Sequence, residues 1–343
     1  MKTVYVGLSG GVDSSVAAVL LRDEGYRVVG VYMKNWSKDV PGFECPWKDD
    51  YMDAKRVAVQ LGIDFELIDF EKQYQDTVVQ YMIDEYKIGR TPNPDIMCNQ
   101  EIKFKLFYKA AIERGADYIA TGHYATARSG GLYTAKDQNK DQTYFLYRVT
   151  SEALARTLFP LGAYTKPQVR ELAAKHKLIT ADKKESMGIC FVGKVGIKEF
   201  LQQYVTTEPG PVIDQYGNTI GMHDGALFYT IGQRHGLGVI GGLPVYVIDK
   251  DMQQNVVYVT SQIDDERLWR DSVRLTSEHW ILQPPNASKV YMVRSRHRAP
   301  LVKATYIPAT ASLAFDSPVR AITPGQSVVV YDGDHVLGGG IIA

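Results

Sequence analysis

The sequence predicts an α/β protein: an N-terminal doubly wound parallel sheet, a small β-rich central domain and a C-terminal β-barrel. Strand-like and helix-like segments alternate over residues 1 to about 120, the rhythm of βαβ units around a parallel sheet. After about Pro209 helical periodicity fades. Val, Ile, Tyr and Thr runs then fall between turn signals such as Gln215-Tyr216-Gly217-Asn218 and Asp332-Gly333-Asp334, the pattern of barrels or sandwiches. At 343 residues the chain also exceeds what one core usually supports. The expected divisions are 1–208, 209–265 and 266–343.

Each element has its own warrant. Val4-Tyr5-Val6-Gly7-Leu8 is an apolar run suited to a buried parallel strand, and Val12, Val16, Val19 and Leu20 recur at helical spacing behind it. Arg27 to Met33 reads as a second strand, Tyr51 to Leu61 as a helix and Ile63 to Ile68 as a third strand. Asp76 to Tyr86 and Glu101 to Arg114 read as helices, and Asp117 to Thr121 as a strand ending at Gly122. Thr165 is placed to cap a helix that runs through Lys175, with Pro167 tolerated in its first turn.

Composition narrows the class. Hydrophobic residues make up 45% and charged residues 23%, ordinary values for a soluble globular chain. No apolar run reaches the ~18 residues of a membrane span, and the first strand begins too early to leave room for a signal peptide. Three cysteines, Cys45, Cys98 and Cys190, are too few for a disulfide scaffold; a cytoplasmic location with buried, catalytic or metal-binding thiols is expected. The net charge of +0 does not mark a nucleic-acid binder as a whole. Lys289 to Lys303 nevertheless carries Lys289, Arg294, Arg296, Arg298 and Lys303 with no acidic residue. On a strand, the alternating Arg294, Arg296 and Arg298 would form a basic stripe suited to RNA phosphates.

Three segments carry chemistry. Ser9-Gly10-Gly11-Val12-Asp13-Ser14-Ser15 joins the first strand to the first helix, so its backbone N–H groups and the helix dipole form an anion cradle. No Gly-Lys-Ser/Thr closes it, which separates it from a Walker A loop. In Asn93-Pro94-Asp95-Ile96-Met97-Cys98-Asn99-Gln100, the Thr91-Pro92-Asn93-Pro94 stretch reads as a rigid loop, with Cys98 near a helix start where a thiol pKa falls. Asp95 lies within reach as a proton carrier. Glu185-Ser186-Met187-Gly188-Ile189-Cys190-Phe191-Val192 places the third cysteine on a loop. Two such cysteines suit persulfide relay or are inert; spacing does not decide between these. Cys45 reads as structural, His123 as a hydrogen-bonded loop residue, and the glycines from Gly232 to Gly242 as turns between short strands.

The SGGVDSS loop resembles the pyrophosphate loop of enzymes that cleave ATP between its α and β phosphates. With Val31-Tyr32-Met33-Lys34-Asn35-Trp36, NPDIMCNQEIKF, Ala120-Thr121-Gly122-His123-Tyr124-Ala125, Lys140-Asp141-Gln142-Thr143-Tyr144-Phe145-Leu146, SMGICF and Tyr229-Thr230-Ile231-Gly232-Gln233-Arg234 in one order, the chain closely resembles the bacterial and organellar tRNA-specific 2-thiouridylase (MnmA) family. The resemblance spans about residues 1 to 300. It implies ATP-dependent exchange of oxygen for sulfur at C2 of a tRNA wobble uridine. It implies that Gly7, Leu8, Ser9, Gly10, Gly11, Val12, Asp13 and Ser14 bind ATP, with Met33 and Gly122 near the adenosine. Mg²⁺ would come with the ATP, Asp13 being a weaker candidate ligand.

It further implies that Asn93, Pro94 and Asp95 contact a target base withdrawn from the anticodon stack. Lys140, Asp141, Gln142, Arg296 and His297 would touch tRNA. Cys190 would carry the persulfide received from a cysteine desulfurase or relay protein. Cys98 would attack its sulfur and leave a transient Cys98–Cys190 disulfide, with Asp95 moving protons; a variant has Cys98 liberate sulfide. An iron–sulfur cluster held by cysteines is a less favoured expectation. The competing readings are another ATP-cleaving ligase and a non-enzymatic tRNA-binding protein. The donor, the tRNAs chosen, the oligomeric state and the resting redox state of the two cysteines are not legible.

Overall fold

The computed structural model describes residues 1–39, 44–184, 196–239 and 244–343. Elements follow in chain order as β1 (Thr3–Gly7), α1 (Val12–Asp23), β2 (Arg27–Lys34), α2 (Trp47–Leu61), β3 (Asp64–Asp69), α3 (Glu71–Tyr74), α4 (Gln80–Lys87), α5 (Pro94–Met97), α6 (Tyr108–Glu113), β4 (Tyr118–Ala120), β5 (Thr126–Arg128), β6 (Gly131–Tyr133), α7 (Ser151–Ala155), β7 (Thr157–Leu158), α8 (Lys166–Lys175) and α9 (Ile197–Leu201). The first sheet is parallel with order β3-β2-β1-β4-β7, which puts β1 at the centre. Alternation along β1 then divides the core. Val4 and Val6 pack with Val16, Val57 and Val169 of α1, α2 and α8, whereas Tyr5 packs with Val29, Tyr74, Ile102 and Phe107 on the other face. Thr165 is the N-cap of α8, as its sequence predicts, and its N–H donates to the Gln168 side-chain oxygen at 2.9 Å.

One helix begins earlier than expected. Asn93 accepts a hydrogen bond from the Ile96 N–H at 3.3 Å, and Pro94 occupies the first helical position, where its missing N–H costs nothing. The helix then runs without a break through α5, a π-helical stretch Cys98–Phe107 and α6. Of the two prolines that read as breakers, Pro94 opens this helix and only Pro92 precedes its cap.

The central β-rich unit holds β8 (Gly210–Ile213), β9 (Thr219–His223), β10 (Tyr246–Asp251) and β11 (Val256–Thr260) in the order β10-β11-β8-β9. Asp214 accepts the N–H groups of Tyr216 and Asn218, closing the predicted turn. The stretch from Gly232 onward connects strands, and residues 240–242 lie outside the described residues.

The last unit holds β12 (Trp269–Trp280), β13 (Val290–Arg294), β14 (Val302–Ile307), β15 (Ser312–Arg320), β16 (Ser327–Asp332) and β17 (His335–Ile342). Pairing of β12 with both β15 and β17 closes these strands into a barrel around Val293, Leu313, Val328 and Val330. The β5–β6 hairpin pairs with the start of β17, ahead of its β12 pairing, through Leu132↔Val336, tying the N-terminal unit to the barrel. Among the described residues no helix is long and apolar enough to cross a membrane.

The predicted basic stripe does not form. β13 ends at Arg294, and residues 295–298 make a turn with Arg298 at φ 62°. Arg294 instead lies over Tyr331, Arg296 donates to the Thr323 hydroxyl at 3.0 Å, and Arg298 reaches the Asn139 carbonyl at 3.5 Å.

The seam between the units is polar and buried: the Tyr144 hydroxyl donates to the Ser327 carbonyl at 2.9 Å. Removing one partner of such a bond leaves a buried group unsatisfied. Tyr144→Phe is expected to lower unfolding stability by about 1–3 kcal/mol, measured from denaturant midpoints.

Candidate functional site

The site begins where the sheet order reverses. β1 lies between β2 and β4, so the crevice at their carboxyl ends is the position at which open α/β sheets bind ligands. Leu8 to Gly11 turn there into α1. Gly10 holds φ 74°, a conformation open to glycine. Gly11 is the N-cap and supplies no side-chain hydrogen bond, so the first amides of α1 face outward without a side-chain cap. Ser14 and Ser15 hydroxyls donate to the Gly11 carbonyl at 3.1 and 2.8 Å, and the Ser9 N–H donates to the Ser14 hydroxyl at 3.2 Å. The loop is thus fixed from within while its amides are presented.

Gly122 closes the crevice from β4. A Cβ there would lie 2.7 Å from the Ser14 nitrogen, so only glycine permits this approach. A Cβ on Gly7 would meet the Met33 methyl at 2.9 Å and Phe107 at 3.9 Å. The predicted set from Gly7 to Ser14, Met33 and Gly122 therefore surrounds one crevice, and the helix that carries Cys98 packs against its edge.

Asp13 is engaged differently from a metal ligand. The Lys166 ammonium donates to both its oxygens, at 2.6 and 2.8 Å, and the Tyr124 hydroxyl donates to Oδ1 at 3.0 Å. This donor set neutralises the carboxylate with a cation of the chain. The phosphate loop therefore fits an anion well, whereas Asp13 as placed does not offer a metal site. Among the described residues no group of three or more His, Cys, Asp and Glu could hold a metal ion.

On the neighbouring helix Asp95 occupies the first turn. Cys98 is one turn further in, with its N–H bonded to the Pro94 and Asp95 carbonyls. The helix-terminus effect expected for Cys98 therefore acts on Asp95, because it fades beyond the first turn. Burial pushes the Asp95 carboxyl above its ordinary range, and the Lys103 ammonium opposes this. Cys98 is 2% exposed within the core that includes Ile96, Ile102 and Phe107. Cys190 lies outside the described residues. Cys45 is half-buried, its N–H bonded to Asp39 and its thiol raised by burial.

His123 is buried between the rings of Phe104 and Phe159, with Nδ1 2.7 Å from the Thr121 hydroxyl. Burial, reinforced by Lys103, holds it neutral.

The remaining predicted residues meet along the seam with the barrel. The His297 ring lies 4.4 Å from that of Phe145, whose carbonyl accepts from Asn99 at 3.0 Å, one residue after Cys98. Burial, then Arg298 and Arg294, push His297 down to about 4. Gln142 is locked to Tyr124: its side chain accepts the Tyr124 N–H at 3.0 Å and its N–H donates to the Tyr124 carbonyl at 2.9 Å. Asp141 departs from its expected role. It is 3% exposed and accepts from the Ala135 N–H and the Thr143 N–H and hydroxyl, so it shapes the turn rather than facing a ligand. Lys140 and Arg296 remain at the rim. Sequence reasoning assigned no role to Lys166, Tyr124, Lys103 or the Thr323–Gln326 loop: Lys166 and the barrel loop act across long separations with no motif of their own, and Tyr124 and Lys103 sit inside quoted motifs whose partners only the fold brings together.

Three family models match. They are described as the tRNA methyl transferase HUP domain over residues 2–194, the tRNA methyl transferase PRC-barrel domain over 198–261 and the aminomethyltransferase beta-barrel domain over 270–342. The chain is 47% identical over 351 residues to the tRNA-specific 2-thiouridylase MnmA of Bacillus subtilis and 48% identical over 351 residues to that of Listeria monocytogenes, covering 99% of this chain and 94% of each relative. A solved 4-thiouridine synthetase–RNA complex with bound ATP aligns more loosely, with TM-score 0.41 and 19% identity over 60% of this chain and 50% of that one.

The raised Asp95 carboxyl makes a signed prediction. Its folded form prefers the proton, so the wild-type fold is unpenalised below the ordinary carboxylate pKa of about 4 and loses stability as pH rises through the folded value. Asp95→Asn is expected to unfold at higher temperature than wild type at pH 7, with the difference vanishing at pH values below about 4. Melting curves across pH check this.

Proposed function

This chain belongs to the tRNA-specific 2-thiouridylase family, and from that premise we propose that it replaces O2 of a wobble uridine in tRNA by sulfur, using ATP and a persulfide. One observation supports this above the others: an uncapped helix terminus stands at the sheet's switch point, and the strand that leads into it meets, at Gly7 and Phe107, the helix that carries Asp95 and Cys98. An anion cradle beside an acid–base carboxylate and a thiol is what adenylation followed by sulfur transfer requires.

The chemistry follows from the leaving group. Uridine O2 attacks the α-phosphorus of ATP, the α–β anhydride bond breaks and pyrophosphate departs. The amides of Gly11 to Asp13 hold the phosphates, and Mg²⁺ arrives with the nucleotide rather than on Asp13, whose oxygens face Lys166. As O2 attacks, uridine N3 gives up its proton to Asp95, whose raised affinity for protons suits that task. The terminal sulfur of a Cys190 persulfide anion then adds to C2, and Asp95 returns the proton to N3. The Cys98 thiol attacks the Cys190 sulfur, the S–S bond to the transferred atom breaks, and AMP leaves with the C2–O bond. The transferred sulfur gains two electrons, and the two cysteines lose them as a disulfide, which an external thiol reduces before the next turnover. The persulfide itself comes from a cysteine desulfurase or relay protein.

tRNA would lie along the seam. Asn93 to Asp95 face the withdrawn base, and Lys140, Gln142, Arg296 and His297 contact the surrounding RNA, which is gripped by shape and backbone rather than read base by base.

The test uses anaerobic protein, Mg²⁺-ATP, a persulfide donor and unmodified tRNA, with digestion and mass spectrometry of the nucleosides. We expect 2-thiouridine that depends on ATP and forms without bound iron. A product that needs iron would move the sulfur-carrying role to a cluster. No product from bound tRNA with a competent donor would overturn the reading. Cys98→Ser is expected to abolish thiolation while keeping tRNA affinity within a few-fold. Arg296→Ala should weaken tRNA binding and reduce the salt slope by about 1, as for one lost phosphate contact; an unchanged slope removes Arg296 from the footprint.

A further inference from the structure

Asp13 is the meeting point of two chains of hydrogen bonds that both end on one surface turn. Lys166, only 9% exposed, holds both Asp13 oxygens from the first position of α8. Its backbone N–H donates to Asp137 Oδ2 at 2.9 Å, and Asp137 Oδ1 accepts the Asn139 N–H at 3.1 Å and the Lys140 N–H at 3.3 Å. The second chain starts at the Tyr124 hydroxyl on Asp13 Oδ1 and passes through paired bonds between Tyr124 and Gln142. The Lys166 ammonium lies 5.9 Å from the Tyr124 ring centroid, so the two chains also touch each other. The start and the end of the turn 137–142 are therefore each tied to the first turn of α1.

We propose that Lys166 and Tyr124 are positioning residues that join the phosphate loop to the 137–142 turn, so that nucleotide and tRNA bind cooperatively. This rests on the reading that the loop holds ATP and that the turn touches tRNA. The physical basis is local. A triphosphate on the α1 amides adds negative charge beside Asp13, and the Lys166 ammonium then serves two anions at once. A more tightly held Lys166 restricts Asp137 and, through it, the Lys140 backbone. The turn is then ordered before tRNA arrives, and tRNA binding no longer bears that ordering cost. Linkage makes the effect mutual: tRNA must tighten nucleotide binding by the same factor.

The experiment measures tRNA affinity with and without a non-hydrolysable ATP analogue and Mg²⁺, together with hydrogen exchange of residues 137–142. Wild type, Tyr124→Phe, Lys166→Met and Lys166→Arg are compared. Wild type should show a coupling factor of about 5 to 150 and slower exchange in the turn when the analogue binds. Both Tyr124→Phe and Lys166→Met should bring the factor toward one, and Lys166→Arg should restore much of it. Tyr124→Phe removes a single hydroxyl and keeps the ring in its core, so it decides the matter should Lys166→Met fail to fold. Wild type that binds both ligands without coupling overturns the proposal, as does coupling that survives in the folded variants. Wild type that binds neither ligand overturns this inference and the reading beneath it together.

Discussion

The placement of the helix that carries Asp95 and Cys98 depends on how Thr91 is held. Its N–H donates to the Pro324 carbonyl at 2.9 Å, its carbonyl accepts from Gln326 Nε2 at 2.9 Å, and its hydroxyl lies 3.1 Å from that of Thr230. Pro324 and Gln326 belong to the barrel, and Thr230 to the central unit. The helix that carries Asp95 and Cys98 is capped by Asn93, two residues after Thr91, and starts at Pro94. The N-terminal sheet builds the anion cradle, but the barrel and the central unit determine where the neighbouring helix begins. The same barrel loop receives Arg296 through Thr323, and Ser327 receives Tyr144 and Tyr147. Arg296 and the helix that carries Asp95 and Cys98 thus share one buried clamp built from all three units.

The site's electrostatics follow from the same economy of charge. A carboxylate in the first turn of α1 would repel a triphosphate, and the buried Lys166 removes that repulsion with geometry good enough to satisfy both oxygens. Asp95 has the opposite environment: burial disfavours its charged form, and the Lys103 ammonium offsets only part of that. One carboxylate is held by a cation and the other is left inclined to take a proton. Two carboxylates in environments this different are suited to separate roles.

Local signals were legible in the sequence and non-local ones were not. The phosphate loop needs only a strand, two glycines and a helix in succession, and the α8 cap only Thr165 with Pro167 in the first turn; both were readable from short windows. The start of the Cys98 helix was misplaced because Pro92 and Pro94 read as breakers, whereas Asn93 caps the helix and Pro94 opens it. The arginine stripe failed because alternation implies one face only while the strand continues, and here the chain turns after Arg294. Lys166 meets Asp13 across 153 positions, a contact created by packing α8 beside α1.

Gly325 offers the most direct probe of the clamp. It holds φ 89°, and a Cβ there would lie 2.8 Å from the Thr91 nitrogen and 2.9 Å from Arg90. Gly325→Ala therefore pushes the barrel loop away from Thr91, two residues before the cap of the helix that carries Asp95 and Cys98, without touching the phosphate loop. The decisive measurement is the single-turnover rate of tRNA thiolation by this variant, alongside its nucleotide affinity. A rate lower by about 100-fold with nucleotide affinity unchanged is the predicted result, since a displacement near 1 Å is enough for such a loss. A wild-type rate in the folded variant would contradict the claim that the clamp sets the geometry of the site.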